Sequence, residues 1–205
     1  YRIEETKSLV SILGNEVVEE FPWANGMKPS TDDNVEGVLR RTWKPALSIV
    51  GSDGMPSTAN AGNVLRPYTT LQLSMRIPPM VDPKKAVDAI EKILKDDIPY
   101  GASVELEFEE AAEGWNAPES KTWLLDAIEK ASKKYFNQMP CTIGEGGTIP
   151  FMAMLGKQFP EAQFVITGVL GPQSNAHGPN EFLHIPFAKN LTCCISSIIT
   201  DFQKH

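Results

Sequence analysis

Thr69–Ile77 reads TTLQLSMRI, and this stretch decides the fold class of the region around it. Leu71, Leu73, Met75 and Ile77 fall on one side of an extended chain, and Thr70, Gln72, Ser74 and Arg76 on the other. Period two with one apolar face is the pattern of an antiparallel strand. Pro78 and Pro79 stop it. Asp82 and Pro83 then spell a helix start, with Asp as N-cap and Pro at the first helical position. The apolar side of that helix is Ala86, Val87, Ile90, Ile93 and Leu94. After a Pro99-Tyr100-Gly101 turn, ASVELEF (102–108) alternates again, Val104, Leu106 and Phe108 against Glu105 and Glu107. Upstream, RRTWKPALSIVG leads into a short strand at about 46–50. Residues 45–109 therefore read strand, strand, helix, strand: an α+β layer that lacks one βα unit.

The pattern changes on either side. Residues 4–20 predict one or two helices interrupted at Gly14, and FPWANGMKPSTDDN (21–34) reads as a loop. GSDGMPSTANAGNVLRP (51–67) is an irregular loop long enough to suggest a functional role. AAEGWNAPES (111–120) has the composition of a linker. Beyond it come an amphipathic helix (120–136), a Gly-rich turn and short apolar helix, and QFVITGV (163–169), apolar on both faces like a buried parallel strand. A polar loop and a last helix from Pro186 follow. That succession is the tail of a parallel α/β domain, whose sites lie beyond the C-terminal ends of strands.

The 205 residues carry a net charge of −7 and are 41% hydrophobic. The composition supports a packed core and argues against a nucleic-acid partner, which would want a basic stripe. No apolar run reaches membrane-spanning length, and no signal peptide is visible, so no membrane partner and a cytoplasmic setting are expected. The start at Tyr1 rather than Met suggests a piece of something longer. Cys141, Cys193 and Cys194 show no metal-binding spacing and read as reduced thiols.

Three places could carry chemistry. His177 lies in the loop GPQSNAHGPNEF (171–182), either capping a carbonyl or serving as a metal ligand or acid/base group, with Glu181 placed to orient it. One ligand cannot hold zinc, which takes three or four. GEGGTIP (144–150) is either a plain turn or an anion cradle, with the Gly146 and Gly147 amides and the Thr148 hydroxyl at a helix start and Glu145 available for an ammonium. No GK[ST] follows, so a carboxylate suits it better than a triphosphate. Arg76, on the open face of its strand, is either a solvated charge or a bidentate carboxylate clamp, with Asn63 upstream as a further donor. Cys141 as a nucleophile has no base at sensible spacing.

Together EGGTIP and NAHGPNE resemble the C-terminal end of the co-catalytic di-zinc metallopeptidases: carnosinase-type dipeptidases, glutamate carboxypeptidase, aminoacylase and succinyl-diaminopimelate desuccinylase. RRTWKPALSIVG, NAGNVLRP and LQLSMRIPP resemble that family's inserted lid, so the likeness runs from about residue 38 to the end. The resemblance implies an α/β chain. It would join the C-terminal part of a parallel-sheet catalytic domain (112–205) to an incomplete, ferredoxin-like α+β lid or dimerisation domain (1–111). It implies that His177 is the family's last metal ligand. Thr148 and Arg76 would grip the substrate's C-terminal carboxylate, with Glu145 near its amino end, Gly146 and Gly147 beside it, and Asn63 reaching in from the lid. It implies two zinc ions, with other divalent metals admissible. Small peptides or N-acyl amino acids would be substrates, and the lid would form a homodimer. The family's other metal ligands, bridging Asp and catalytic Glu precede the lid and have no counterpart here, nor has the lid histidine, since no histidine precedes His177. The expectation is a fragment of a dipeptidase or amidohydrolase, inactive by itself and with no catalytic residue of its own. The other open reading is a non-catalytic binding or oligomerisation module.

Overall fold

The structure is a computed structural model and describes residues 1–145 and 150–204. Gly146, Gly147 and Thr148 lie outside the described residues.

Three short helices open the chain: α1 (Arg2–Leu13), α2 (Glu16–Glu19) and α3 (Asn34–Thr42). Gly14, in the left-handed region at φ 57°, separates the first two. Leu9, Val17 and Val38 bring the three together in a small buried cluster. α3 falls partly in the stretch expected to be loop. Asp33 caps it, accepting from the amides of Val35 and Glu36, and Val38 and Leu39 form its buried side. The turn-forming residues before it are thus a helix start.

β1 (Ala46–Asp53) and β2 (Thr70–Arg76) form an antiparallel sheet, with Leu47 opposite Met75 and Ile49 opposite Leu73. A bulge falls between Ile49 and Gly51, where the Gln72 side chain stands 3.1 Å from the place of a Cβ on Gly51. The expected alternation holds, but the face predicted to be buried is uncovered: Leu71, Leu73 and Met75 are each more than 40% exposed. α4 (Pro83–Lys95) begins as read, Asp82 accepting from the Lys85 amide, yet none of its residues is fully buried. It does not seal the sheet.

Two expected strands form no ladder among the described residues. At 102–108 Val104 and Leu106 are half-buried and their neighbours exposed, so the alternation survives without pairing. The parallel strand expected at 163–169 is likewise unpaired among the described residues, with Val165, Ile166 and Val169 exposed. A parallel strand needs flanking strands to receive its backbone groups and helices to cover both faces. The only sheet among the described residues is the two-stranded antiparallel one.

The larger core is helical. α5 (Thr122–Phe136) and α7 (Ile185–Phe202) pack side by side around Leu124, Ala127, Ala131, Cys194 and Ile198. Trp123 meets Phe202 and Phe136 meets Phe187, so the two helices run antiparallel. α6 (Pro150–Gln158) lies against the linker. Its Gly156 leaves room for Trp115, whose indole nitrogen would be 2.6 Å from a Cβ there. Trp115 also meets Phe164 edge-on at 5.1 Å. The stretch read as a linker is therefore packed: Gly114 abuts Pro79, and Arg2 bonds to Asn116 and to the Ala117 carbonyl.

Candidate functional site

The loop between residue 171 and α7 is built on Ser174, which is buried. Its hydroxyl donates to the Gly171 carbonyl at 2.7 Å, and its own carbonyl accepts from the Phe182 amide at 3.1 Å. These bonds close the loop at its base. Within it the Gly178 amide donates to the Asn175 carbonyl and the Asn175 side chain donates to the Pro179 carbonyl. Gln173, Asn175, His177 and Asn180 all sit at positive φ, between 56° and 63°. Four non-glycine residues in the left-handed region within one loop store backbone strain, a feature that clusters at binding and catalytic sites.

His177 is exposed on this loop. Glu181 touches it, but not in the way its spacing suggested. The carboxylate accepts from the His177 backbone amide at 3.3 Å and does not bond the ring. Glu181 thus orients His177 by holding its backbone in the left-handed turn. As one metal donor the imidazole fits: it is solvent-facing and carried by a closed loop. A complete metal site does not fit. Among the described residues no three His, Cys, Asp or Glu side chains come together in a way that could hold an ion.

The other candidates lie apart. Arg76 ends β2, exposed, opposite Ala46 at the start of β1. Gly144 packs on Trp43, three residues before that strand start; the indole Nε1 would stand 2.7 Å from a Cβ at Gly144. The beginning of the Gly-rich turn, with the exposed Glu145, is thereby held near the sheet end that carries Arg76. Asn63 is exposed in the loop joining β1 to β2. The base of that loop is at the opposite end of the hairpin, about 20 Å from Arg76 at strand spacing. Cys141 has solvent contact, yet desolvation around its sulfur pushes the thiol up, which is opposite to what an activated nucleophile needs. His184 is a role that sequence reasoning missed: its Nδ1 accepts from the Phe187 amide as the N-cap of α7. The signal was its place two residues before Pro186, at a helix start.

Residues 10–201 match the profile of peptidase family M20/M25/M40. The chain belongs to this family. Among relatives, it is 28% identical over 156 residues to a cysteinylglycine-S-conjugate dipeptidase of Corynebacterium striatum, covering 71% of this chain and 33% of that protein. It is 30% identical over 142 residues to the Cys-Gly metallodipeptidase DUG1 of Saccharomyces cerevisiae, covering 65% and 28%. The chain thus spans about a third of the length of the curated relatives it matches. In fold it is similar to an M20 family metallo-carboxypeptidase, Sso-CP2, of Sulfolobus solfataricus, with a TM-score of 0.71 at 18% identity, over 96% of this chain and 44% of that one. Membership of M20/M25/M40 agrees with the resemblance carried by EGGTIP and NAHGPNE. No helix among the described residues is long and apolar enough to cross a membrane.

Proposed function

We propose that this chain is the C-terminal, substrate-holding portion of a metal-dependent dipeptidase or related amidohydrolase that acts on small peptides or N-acyl amino acids with a free carboxylate. The observation that carries the reading is the family match over 10–201, whose relatives are named as Cys-Gly dipeptidases. Residues 1–111 serve as a partial lid with a helical lead-in, and 112–205 as part of the catalytic domain. The separate cores around Leu9 and around Leu124 support that division. Arg76 offers a planar, bidentate grip on the substrate carboxylate, aided by Thr148 and by the Gly146 and Gly147 amides. Glu145 faces the substrate's amino end, and Asn63 reaches in from the lid loop. His177 contributes one donor to zinc, or to another divalent ion, and donors outside this chain complete a two-ion site. Bound metal would lower the pKa of a water and polarise the scissile carbonyl. The chain alone is inactive, and the whole protein is cytoplasmic.

The test is made in the full polypeptide that carries this chain. His177→Ala should lose zinc and cysteinylglycine hydrolysis together. Arg76→Ala should keep zinc and raise KM by roughly tenfold to a hundredfold, the loss of a charge-assisted pair. Normal zinc content in the His177 variant would refute the ligand assignment. Two tightly bound zinc ions and turnover by the 205-residue chain alone would refute the division of labour.

A second reading, a non-catalytic oligomerisation module that pairs through the lid, draws on one observation. Leu47, Ile49, Leu73 and Met75 lie on an uncovered sheet face, and such a surface invites a partner. Sedimentation at rising concentration tests it, and a strict monomer would count against homodimerisation.

A further inference from the structure

The chain leaves the His177 loop and enters α7 through His184. We propose that His184 is a positioning residue: its imidazole, acting as the N-cap of α7, fixes the exit of the 171–183 loop and so the place where His177 is held. The consequence for zinc rests on the function proposed above; the cap itself does not.

His184 has the extended backbone of a capping residue, φ −78° and ψ 92°. Its Nδ1 accepts from the Phe187 amide at 3.0 Å, and its carbonyl accepts from the Ala188 amide at 3.0 Å. Pro186 has no amide hydrogen, so one orphan donor of the first turn is absent by composition and His184 satisfies another. A ring that accepts at Nδ1 carries its proton on Nε2. The Nδ1 lone pair is therefore engaged with the helix and closed to a metal. Phe187, whose amide is held, meets Phe136 of α5 at 5.0 Å. Cap and ring contact together tie the loop exit to the helical core.

On the other side, only Leu183 separates His184 from Phe182, whose amide closes the loop on Ser174. Phe182 and Leu183 are each at least half exposed, so packing does not hold the exit. Hydrogen bonds do: from α7 to His184, from Phe182 to Ser174, and from the His177 amide to Glu181. Removal of the first bond frees the end of the segment that carries His177.

The experiment uses the full polypeptide that carries this chain, zinc as the probe, and the variants His184→Ala and His184→Asn. Asparagine is a strong N-cap without an imidazole. In the alanine variant, amides of Phe187, Ala188 and residues 174–183 should exchange faster by roughly three- to tenfold, the effect of losing one cap. Residues 124–131 of α5 should be unchanged. Zinc affinity should fall by roughly tenfold, as for loss of a residue that orients a ligand. The asparagine variant should restore both. Unchanged exchange in the alanine variant overturns the cap, and faster exchange with unchanged zinc affinity overturns its hold on His177. If asparagine restores exchange but not zinc affinity, His184 acts through its ring and the proposal also fails. Should the alanine variant not fold, the asparagine variant decides by matching or missing the wild type in both measurements. A wild-type protein that binds no zinc would sink the proposed function. The cap would then stand or fall on whether faster exchange spreads into 174–183 or stays within α7.

Discussion

Gly144 shows how a single residue joins distant parts of the chain. A Cβ there would lie 2.7 Å from Nε1 and 2.9 Å from Cε2 of Trp43, both parts of a rigid ring. The ring is backed by the Arg2 guanidinium, 4.8 Å from its centroid, so it has little room to retreat. Gly144→Ala should destabilise the fold by about 1–3 kcal/mol, the usual result of overpacking. Combined with Trp43→Ala, the same change should destabilise much less. A double-mutant cycle read by urea unfolding checks this, and additive effects would show that the contact is not the reason for glycine. From the sequence, Gly144 read as turn flexibility; its need for a missing side chain arises from a residue about a hundred positions away. Local sequence cannot show such a need. The His177 loop was more legible, because Asn175 and Asn180 belong to the residue type that tolerates positive φ. His177 is of a type enriched there too, whereas nothing in the sequence marked Gln173 for the same conformation.

Helix starts were legible where the capping chemistry was ordinary, and missed where it was shared with turns or supplied by an unusual residue. Asp82-Pro83 announced α4 correctly. Thr31-Asp32-Asp33-Asn34 spells a turn and a cap equally well, and the choice was made by Val38 finding Leu9 of α1 as a partner. Asp33 accepts from two amides, at 2.9 and 3.2 Å. Asp33→Ala should therefore lower stability by about 1 kcal/mol, while Asp32→Ala, which removes no cap, should stay within about 0.5 kcal/mol. Thermal melts of the two variants separate the readings; equal losses would mean that net charge, not the cap, matters. Strands were the hardest elements to read. Alternation located β2 and the unpaired 102–108 stretch with equal force. A strand's existence depends on partners that its own residues do not encode.

At the scale of the molecule, burial is distributed unevenly, and stability should follow it. Most of the buried side chains among the described residues belong to the cluster around Leu9 in α1–α3 and the cluster between α5 and α7, whereas β1 and β2 have no fully buried residue. Backbone amides of a two-stranded sheet without a covered face open at low free energy. Those of Leu124, Ala127, Ala131 and Ile198 should require unfolding of the helical pair. Hydrogen exchange should therefore clear β2 first and α5 and α7 last. Cys194 offers an independent readout. It is buried, its thiol is bonded to the Ala131 carbonyl at 3.4 Å, and burial pushes it up. Its neighbour Cys193 is exposed. In native protein an alkylating agent should label Cys193 and spare Cys194. Labelling of Cys194 should appear only at denaturant concentrations that separate α5 from α7, after β2 has exchanged. Equal protection of β2 and α5, or early labelling of Cys194, would mean that the sheet shares the cooperative core. Leu73→Thr would then weaken the whole molecule by the 2 kcal/mol or so expected for a buried leucine, instead of the small change expected at a side chain that is 41% exposed.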